Sequence, residues 1–167
     1  IDGNAPEVFS YGHRNVQGVT VHPQTGAVWA MEHGPKGGDE INILERGANY
    51  GWPVITYGVD YSGDIISDET HMDGMKQPWL YWDPSIAPSG LTFYQGDMFK
   101  EWNGDVLVGS LKFTHLRRIK VEDGKPSEQF EYIRDNHDRI RDVEVGPEGA
   151  IYLLTDAPNG KVLKLTK

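Results

Sequence analysis

The sequence predicts an all-β fold, and within that class a β-propeller segment of about three four-stranded blades. Two observations carry this. Short apolar/polar alternations are separated by turn residues almost throughout, with 20 Gly and 10 Pro falling largely between them. There is also an internal repeat. GVTVHPQTGAVWAMEHGPKGGDEINIL near the start matches DVEVGPEGAIYLLTDAPNGKVLKL at the end. The match aligns Val19 with Val143, Pro23 with Pro147, Gly26 with Gly149, Trp29 with Tyr152 and Ile41 with Val162. A degenerate third copy runs from Leu91 to Val121. Any hairpin with a Pro-x-Gly turn gives some likeness of this kind, so the turn chemistry alone is the plainer alternative. A blade of four strands takes about 40 to 50 residues, and three of them fill the chain. Propellers close with about 4 to 8 blades. Three blades therefore leave a half ring with open sheet edges and an apolar flank. The chain thus reads as part of a larger protein, or as half of an assembly with a second copy.

Taken in order, strands are expected at residues 18–22, 27–32 and 40–44, where apolar side chains recur at every second position. Residues 54–88 lose that period and hold Gly58, Gly63, Gly74, Pro78, Pro84 and Pro88. They are expected to form a long loop excursion, a kind of segment that is commonly functional. Strands resume at 90–94, 105–109, 115–121 and 129–133, and finish at 140–145, 150–154 and 161–165. The stretch from Gly96 to Trp102 is compatible with a short helical turn.

Composition narrows the function classes. A chain of 167 residues is long enough for a real core. Its net charge of −9 argues against nucleic acid or an anionic membrane as partner. No apolar run approaches the roughly 20 residues of a membrane-spanning helix. With no Cys there is neither a disulfide nor thiolate chemistry, which fits an oxidising compartment and the cytosol equally. The chain opens on Ile1 rather than Met, compatible with a leader upstream.

Three motifs in order carry a resemblance: GHRNVQG at 12–18, EHGPKGGDEIN at 32–42 and ANYGWP at 48–53. Together they resemble the soluble, pyrroloquinoline quinone (PQQ)-dependent aldose sugar dehydrogenases of the glucose/sorbosone dehydrogenase family. The likeness covers nearly the whole chain, but only the C-terminal half of that family's six-bladed propeller. It implies a periplasmic or secreted enzyme that oxidises aldoses to lactones with PQQ and Ca²⁺, and passes electrons to an external acceptor.

The resemblance also implies a site. Arg14, Asn15, Gln17, Ser85, Lys112, Arg139 and Arg141 stand where the family holds its cofactor. PQQ is a planar ortho-quinone with three carboxylates, which guanidinium forks can pair and stack on. On the residues alone, Arg139 and Arg141 read equally as solvated charges paired with Asp138 and Asp142. The carbonyls of Gly34 and Pro35 are implied ligands of a cofactor-side Ca²⁺, an ion that accepts backbone oxygens. Read without the family they are an ordinary turn. A second, structural Ca²⁺ is implied at Glu40, Tyr50 and Asp60. Asp60 to Asp64 does not have the ligand spacing of an EF-hand. Ser85 matches a hydroxyl residue that lines the family's cofactor pocket. Asp83 stands where one branch carries an aromatic residue, which puts the packing of the sugar in question. Val16 replaces a common Pro.

None of the six histidines forms an HxH or HxxxH pair, so a zinc site is not expected. His13 and His33 are expected in supporting roles. The family's general base is a His of its N-terminal half, so no catalytic base is assigned here. No GxSxG surrounds Ser85 or Ser89, which disfavours a hydrolase nucleophile. Two other functions stay open at this point: a non-catalytic propeller that binds a partner, and a lactonase-like propeller hydrolase.

Overall fold

The hairpin turns show how the repeat becomes structure. Gly26 takes a positive φ of 71°, and His22 N donates to Ala27 O at 2.8 Å to close the turn. The matching turn has Gly149 at φ 82° and Gly146 N donating to Ala150 O at 2.8 Å. Only Gly adopts this backbone without a Cβ penalty. The computed structural model describes residues 5–167 and contains eleven strands in three antiparallel sheets. The first sheet is β1 (Val16–Val21), β2 (Val28–Glu32), β3 (Asp39–Leu44) and β4 (Leu80–Trp82). The second is β5 (Pro88–Phe93), β6 (Val106–Ser110), β7 (His115–Glu122) and β8 (Lys125–Tyr132). The third is β9 (Ile140–Val145), β10 (Ile151–Thr155) and β11 (Val162–Leu165). Each sheet is a simple meander, the arrangement of a propeller blade.

The aligned repeat keeps its register. Thr20 pairs Trp29 as Glu144 pairs Tyr152, and Met31 pairs Ile41 as Leu154 pairs Val162. The innermost strands β1, β5 and β9 lie side by side. A Cβ on Gly18 of β1 would stand 3.1 Å from Leu91 Cβ of β5, so glycine permits this approach.

Two cores fill the two seams. Trp29, Met31 and Ile41 pack on Leu91, Val106 and Val108 between the first and second sheets. Leu107 and Leu116 pack on Ile140, Val143 and Leu153 between the second and third. β6 thus buries both faces, which is why its sequence, VLVGS, shows no alternation. The outer flanks are different. Val143 is 1% exposed, but its counterpart Val19 is 60% exposed because no sheet lies before β1 among the described residues. Leu154 and Val162 are exposed on the opposite flank.

Three details differ from the sequence expectation. The third sheet has three strands rather than four. The excursion contains β4, which pairs Asp39 with Trp82 and is too short to show a period. β8 begins at Lys125, four residues early, because Asp123 and Gly124 both take positive φ and make a tight hairpin turn. The short helical turn is present at Lys100–Trp102.

The rest of the excursion folds back onto the first sheet. Tyr50 Oη donates to Ile43 O at 2.6 Å and accepts from Glu45 N at 2.9 Å. Tyr57 stacks on Tyr81 of β4 at 3.8 Å. Asn49 bridges Tyr11 and Met75. No helix among the described residues is long and apolar enough to cross a membrane.

Candidate functional site

β2 ends in a carboxylate, Glu32, that is buried on the same face as Ala30. It is held by three donors or partners. Arg14 N donates to Oε2 at 2.6 Å, Asn42 Nδ2 donates to Oε1 at 3.0 Å, and His13 Nδ1 lies 2.9 Å from Oε1. His13 also stacks on Tyr50, with ring centres 4.7 Å apart. This pins the segment before β1 against the loop that follows β2. Arg14 then spends its fork on that loop: Nη1 donates to His33 O at 3.0 Å and to Gly34 O at 3.1 Å. Its guanidinium lies over Trp52 and Tyr61 at 5.4 and 5.7 Å. The Gly34 carbonyl is therefore already directed towards a positive charge. Gly34 must be glycine, because a Cβ there would collide with Gly37 O.

The far side of the loop is tied by Asp39, which has no exposed surface. Its Oδ1 accepts from Gly34 N at 2.9 Å. Its Oδ2 accepts from Ser85 Oγ at 2.7 Å, Ile86 N at 2.7 Å and Ala87 N at 3.0 Å. Ala87 is held at φ 50°, a strained position for a residue with a Cβ. Leu111 N donates to Ala87 O and Lys112 N to Ile86 O, which brings Lys112 alongside. Gly34, Pro35, Tyr61, Ser85, Ala87 and Lys112 consequently line one surface cleft of about 320 Å³.

Arg139 and Arg141 meet on a single carboxylate, Asp156. Arg139 donates to Asp156 Oδ2 from Nε at 3.0 Å and Nη2 at 2.8 Å, and Arg141 Nη2 stands 3.1 Å from the same oxygen. The two guanidiniums, Arg139 first, pull the Asp156 carboxyl below its ordinary range. Asp138 pairs with Lys161, and Asp142 accepts from Val143 N, so neither takes these arginines. Arg139 Nη1 also reaches Leu111 O at 3.4 Å, beside Lys112. Ser89 Oγ donates to Arg141 O at 2.5 Å, closing the seam between β5 and β9. Asn15 and Gln17 engage each other on the exposed start of β1, with Gln17 Nε2 donating to Asn15 Oδ1 at 2.9 Å.

Behind the Gly34 loop lies a small cavity of about 10 Å³, room for one ion or water. Gly12, Glu32, Gly38, Glu40, Tyr50 and Thr56 are among its lining residues. Burial pushes the Glu40 carboxyl up to about 7, the Asn42 hydrogen bond works against this, and Glu32 adds to it. Asn42 Oδ1 is buried with no partner. Glu32 and Glu40 give the cavity the carboxylate oxygens that a hard cation such as Ca²⁺ takes, while Arg14, also in its lining, sets a positive charge beside them. Tyr50 Oη is fully engaged, so a ligand from that residue would be its carbonyl. Asp60 does not join this cavity. Its Oδ1 accepts from Ser62 N at 3.0 Å and Ser62 Oγ at 3.1 Å within its own exposed turn. Among the described residues, no three acidic or histidine side chains gather as a metal cluster, so any ion here would rest heavily on carbonyls.

Sequence reasoning missed Asp39, Glu32 and Asp156. Glu32 carried one signal, a charge ending an apolar run. Asp39 and Asp156 carried none beyond their positions beside turns.

Residues 1–164 match the family described as glucose/sorbosone dehydrogenase. The chain belongs to the glucose/sorbosone dehydrogenase family. It is 43% identical to the aldose sugar dehydrogenase of Escherichia coli over 166 residues, 98% of this chain and 45% of that protein. The apo structure of the soluble aldose sugar dehydrogenase from Escherichia coli superposes with a TM-score of 0.93 at 42% identity. That match covers 98% of this chain and 48% of the other. The PQQ-bound form of aldose sugar dehydrogenase from Streptomyces coelicolor superposes with a TM-score of 0.73 at 26% identity, over 99% of this chain and 48% of that one. The three sheets thus match part of the family's propeller, and the chain spans about half the length of these relatives.

Proposed function

We propose that this chain forms the cofactor clamp of a PQQ- and calcium-dependent enzyme that oxidises aldoses at the anomeric carbon to lactones. The observation that carries this reading is the convergence of Gly34, Pro35, Ser85 and Lys112 on one cleft. When bound, the quinone supplies the hydride acceptor and calcium the Lewis acid. Gly34 and Pro35 would hold that ion through their carbonyls. Lys112, Arg139 and Arg141 would receive the carboxylates, with Asp156 holding the two guanidiniums side by side. Arg14, Asn15 and Gln17 would close the clamp at the mouth of β1, and Ser85 would line its wall. A cation facing the quinone oxygens favours the negative charge that develops on reduction. Glu40 and the Tyr50 carbonyl would hold a second ion that fastens the excursion to β3. Asp60 would join only through a rearranged turn.

Oxidation also needs a base for the sugar hydroxyl proton, and we assign none among the described residues. His13 is bound to Glu32 and His33 Nε2 lies 2.6 Å from Pro88 O, both in supporting contacts. The base is expected from the remaining part of the ring, and the electrons leave to an external acceptor. Carbonyl-dominated calcium sites of extracellular modules work at about 10⁻⁴–10⁻³ M Ca²⁺. This suits the periplasmic or secreted location. The test is reconstitution with PQQ and Ca²⁺ followed by glucose-dependent dye reduction, with the chain alone and with its complementing half. The complemented protein is expected to oxidise glucose and the chain alone to bind PQQ weakly without turnover. Full activity from the chain alone would place a base within it. Indifference of both preparations to PQQ would favour a binding module.

A further inference from the structure

We propose that Asp39 is a positioning residue that sets the Gly34-Pro35 carbonyls against the Ser85 wall of the cleft, a role that rests on the cofactor reading above. A carboxylate with no exposed surface is costly unless its lone pairs are met. No lysine, arginine or histidine forms an ion pair with Asp39 among the described residues. Four hydrogen-bond donors carry its charge instead. These donors divide unevenly and meaningfully. One oxygen serves the loop of the first sheet, through Gly34 N. The other serves the segment leading into β5 of the second sheet, through Ser85, Ile86 and Ala87. The next bonds outward reach Lys112 and Leu111, since Ile86 O and Ala87 O accept their backbone N–H groups. One side chain therefore fixes the spacing of a proposed calcium carbonyl, a proposed wall hydroxyl and the backbone of a proposed cofactor cation. It also commits the Ser85 proton, so Ser85 offers the cleft an acceptor rather than a donor.

The asymmetry makes a selective test. In Asp39→Asn the amide oxygen keeps the three donors of the β5 side, because turning the NH₂ towards them would oppose three N–H or O–H groups. The NH₂ then faces Gly34 N, donor against donor. Amide exchange in the 167-residue chain, with no cofactor added, is expected to rise about tenfold at Gly34 and by clearly less at Ile86 and Ala87, which keep a neutral acceptor. Retention of PQQ in the presence of Ca²⁺, read by PQQ fluorescence, is expected to weaken about tenfold. Exchange at Gly34 at the wild-type rate would overturn the proposal. If the variant does not fold, wild-type protein decides. Adding Ca²⁺ and PQQ should slow exchange at Gly34 and at Ile86 in the same proportion, since both hang on one carboxylate. Independent responses would overturn the link. Failure of the wild type to retain PQQ at all would defeat the cofactor reading instead, and the exchange pattern of Asp39→Asn would still decide the tie between the loops.

Discussion

Glu40→Gln should remove one component of the protein's pH dependence, the loss of stability that burial of Glu40 imposes as pH rises. Burial raises the Glu40 carboxyl from 4.5 to about 7 in the folded chain. Between those values the folded state holds a proton that the unfolded state has lost, so stability falls as pH rises. The cost is absent below pH 4.5, grows up to about pH 7 and then levels off. At about 1.4 kcal/mol per pH unit it reaches about 3 kcal/mol, a large share of a domain's stability. A cation in the cavity would hold Glu40 ionised and cancel the cost. Urea unfolding with a chelator present is therefore expected to show wild type losing about 3 kcal/mol between roughly pH 5 and pH 8. Calcium should restore most of it. Gln keeps the shape and the Asn42 contact, but not the charge. The variant should lose this component of the slope and the calcium response, and should exceed wild type at pH 8 without metal. A Glu40→Gln protein that keeps the wild-type slope would refute the reasoning, because the titrating group would then lie elsewhere.

In the complemented enzyme, Arg141→Ala should mainly weaken PQQ retention and Lys112→Ala should mainly slow reduction, each by about 1.5–3 kcal/mol per lost charge-assisted contact. Equilibrium dialysis against PQQ and single-turnover absorbance separate the two effects. Ala87→Gly relieves the positive φ at that position and is expected to add about 1 kcal/mol in urea unfolding. A loss of stability there would show that the methyl packing outweighs the strain. Val19→Thr with Val21→Thr should reduce self-association of the chain in light scattering, because both valines lie on the uncovered flank of β1. Unchanged association would place the contact on another surface.

Much of the fold was legible because propeller strands announce themselves locally. Alternation marked β1, β2 and β9, and the Pro-x-Gly turns marked their hairpins. β4 was illegible because three residues between two prolines show no period. β8 was misplaced because Lys125 to Glu128 carry no apolar alternation, although Asp123-Gly124 is a strong turn pair. The site was legible where chemistry sits in contiguous motifs, as for Arg14 and the Gly34-Pro35 loop. It was illegible where tertiary contact confers the role. An aspartate at a strand start normally points to solvent, and only the arrival of residues 85–87 from another sheet makes Asp39 a buried junction. Asp156 likewise becomes the counter-ion of two arginines only when the turn after β10 folds over β9. The alternative partners Asp138 and Asp142 were nearer in sequence and not in space.

The side-by-side stacking of the sheets has an energetic consequence. Each sheet touches only its neighbours, so stability behaves as a one-dimensional sum of unit and seam terms. The middle sheet has two seams, and the third has one seam and three strands. Within residues 5–167, taken alone, the third sheet is then expected to open at a lower free energy than the middle one, ahead of global unfolding. Arg141 lies on its β9, with Arg139 and Asp156 flanking β9 and β10, whereas Ser85 leads into β5 and Lys112 follows β6 of the better-anchored second sheet. The proposed clamp would accordingly have a fixed jaw and a jaw on a local equilibrium. A surface that closed against β10 and β11 would then raise the population of the complete proposed cation set without touching a ligand.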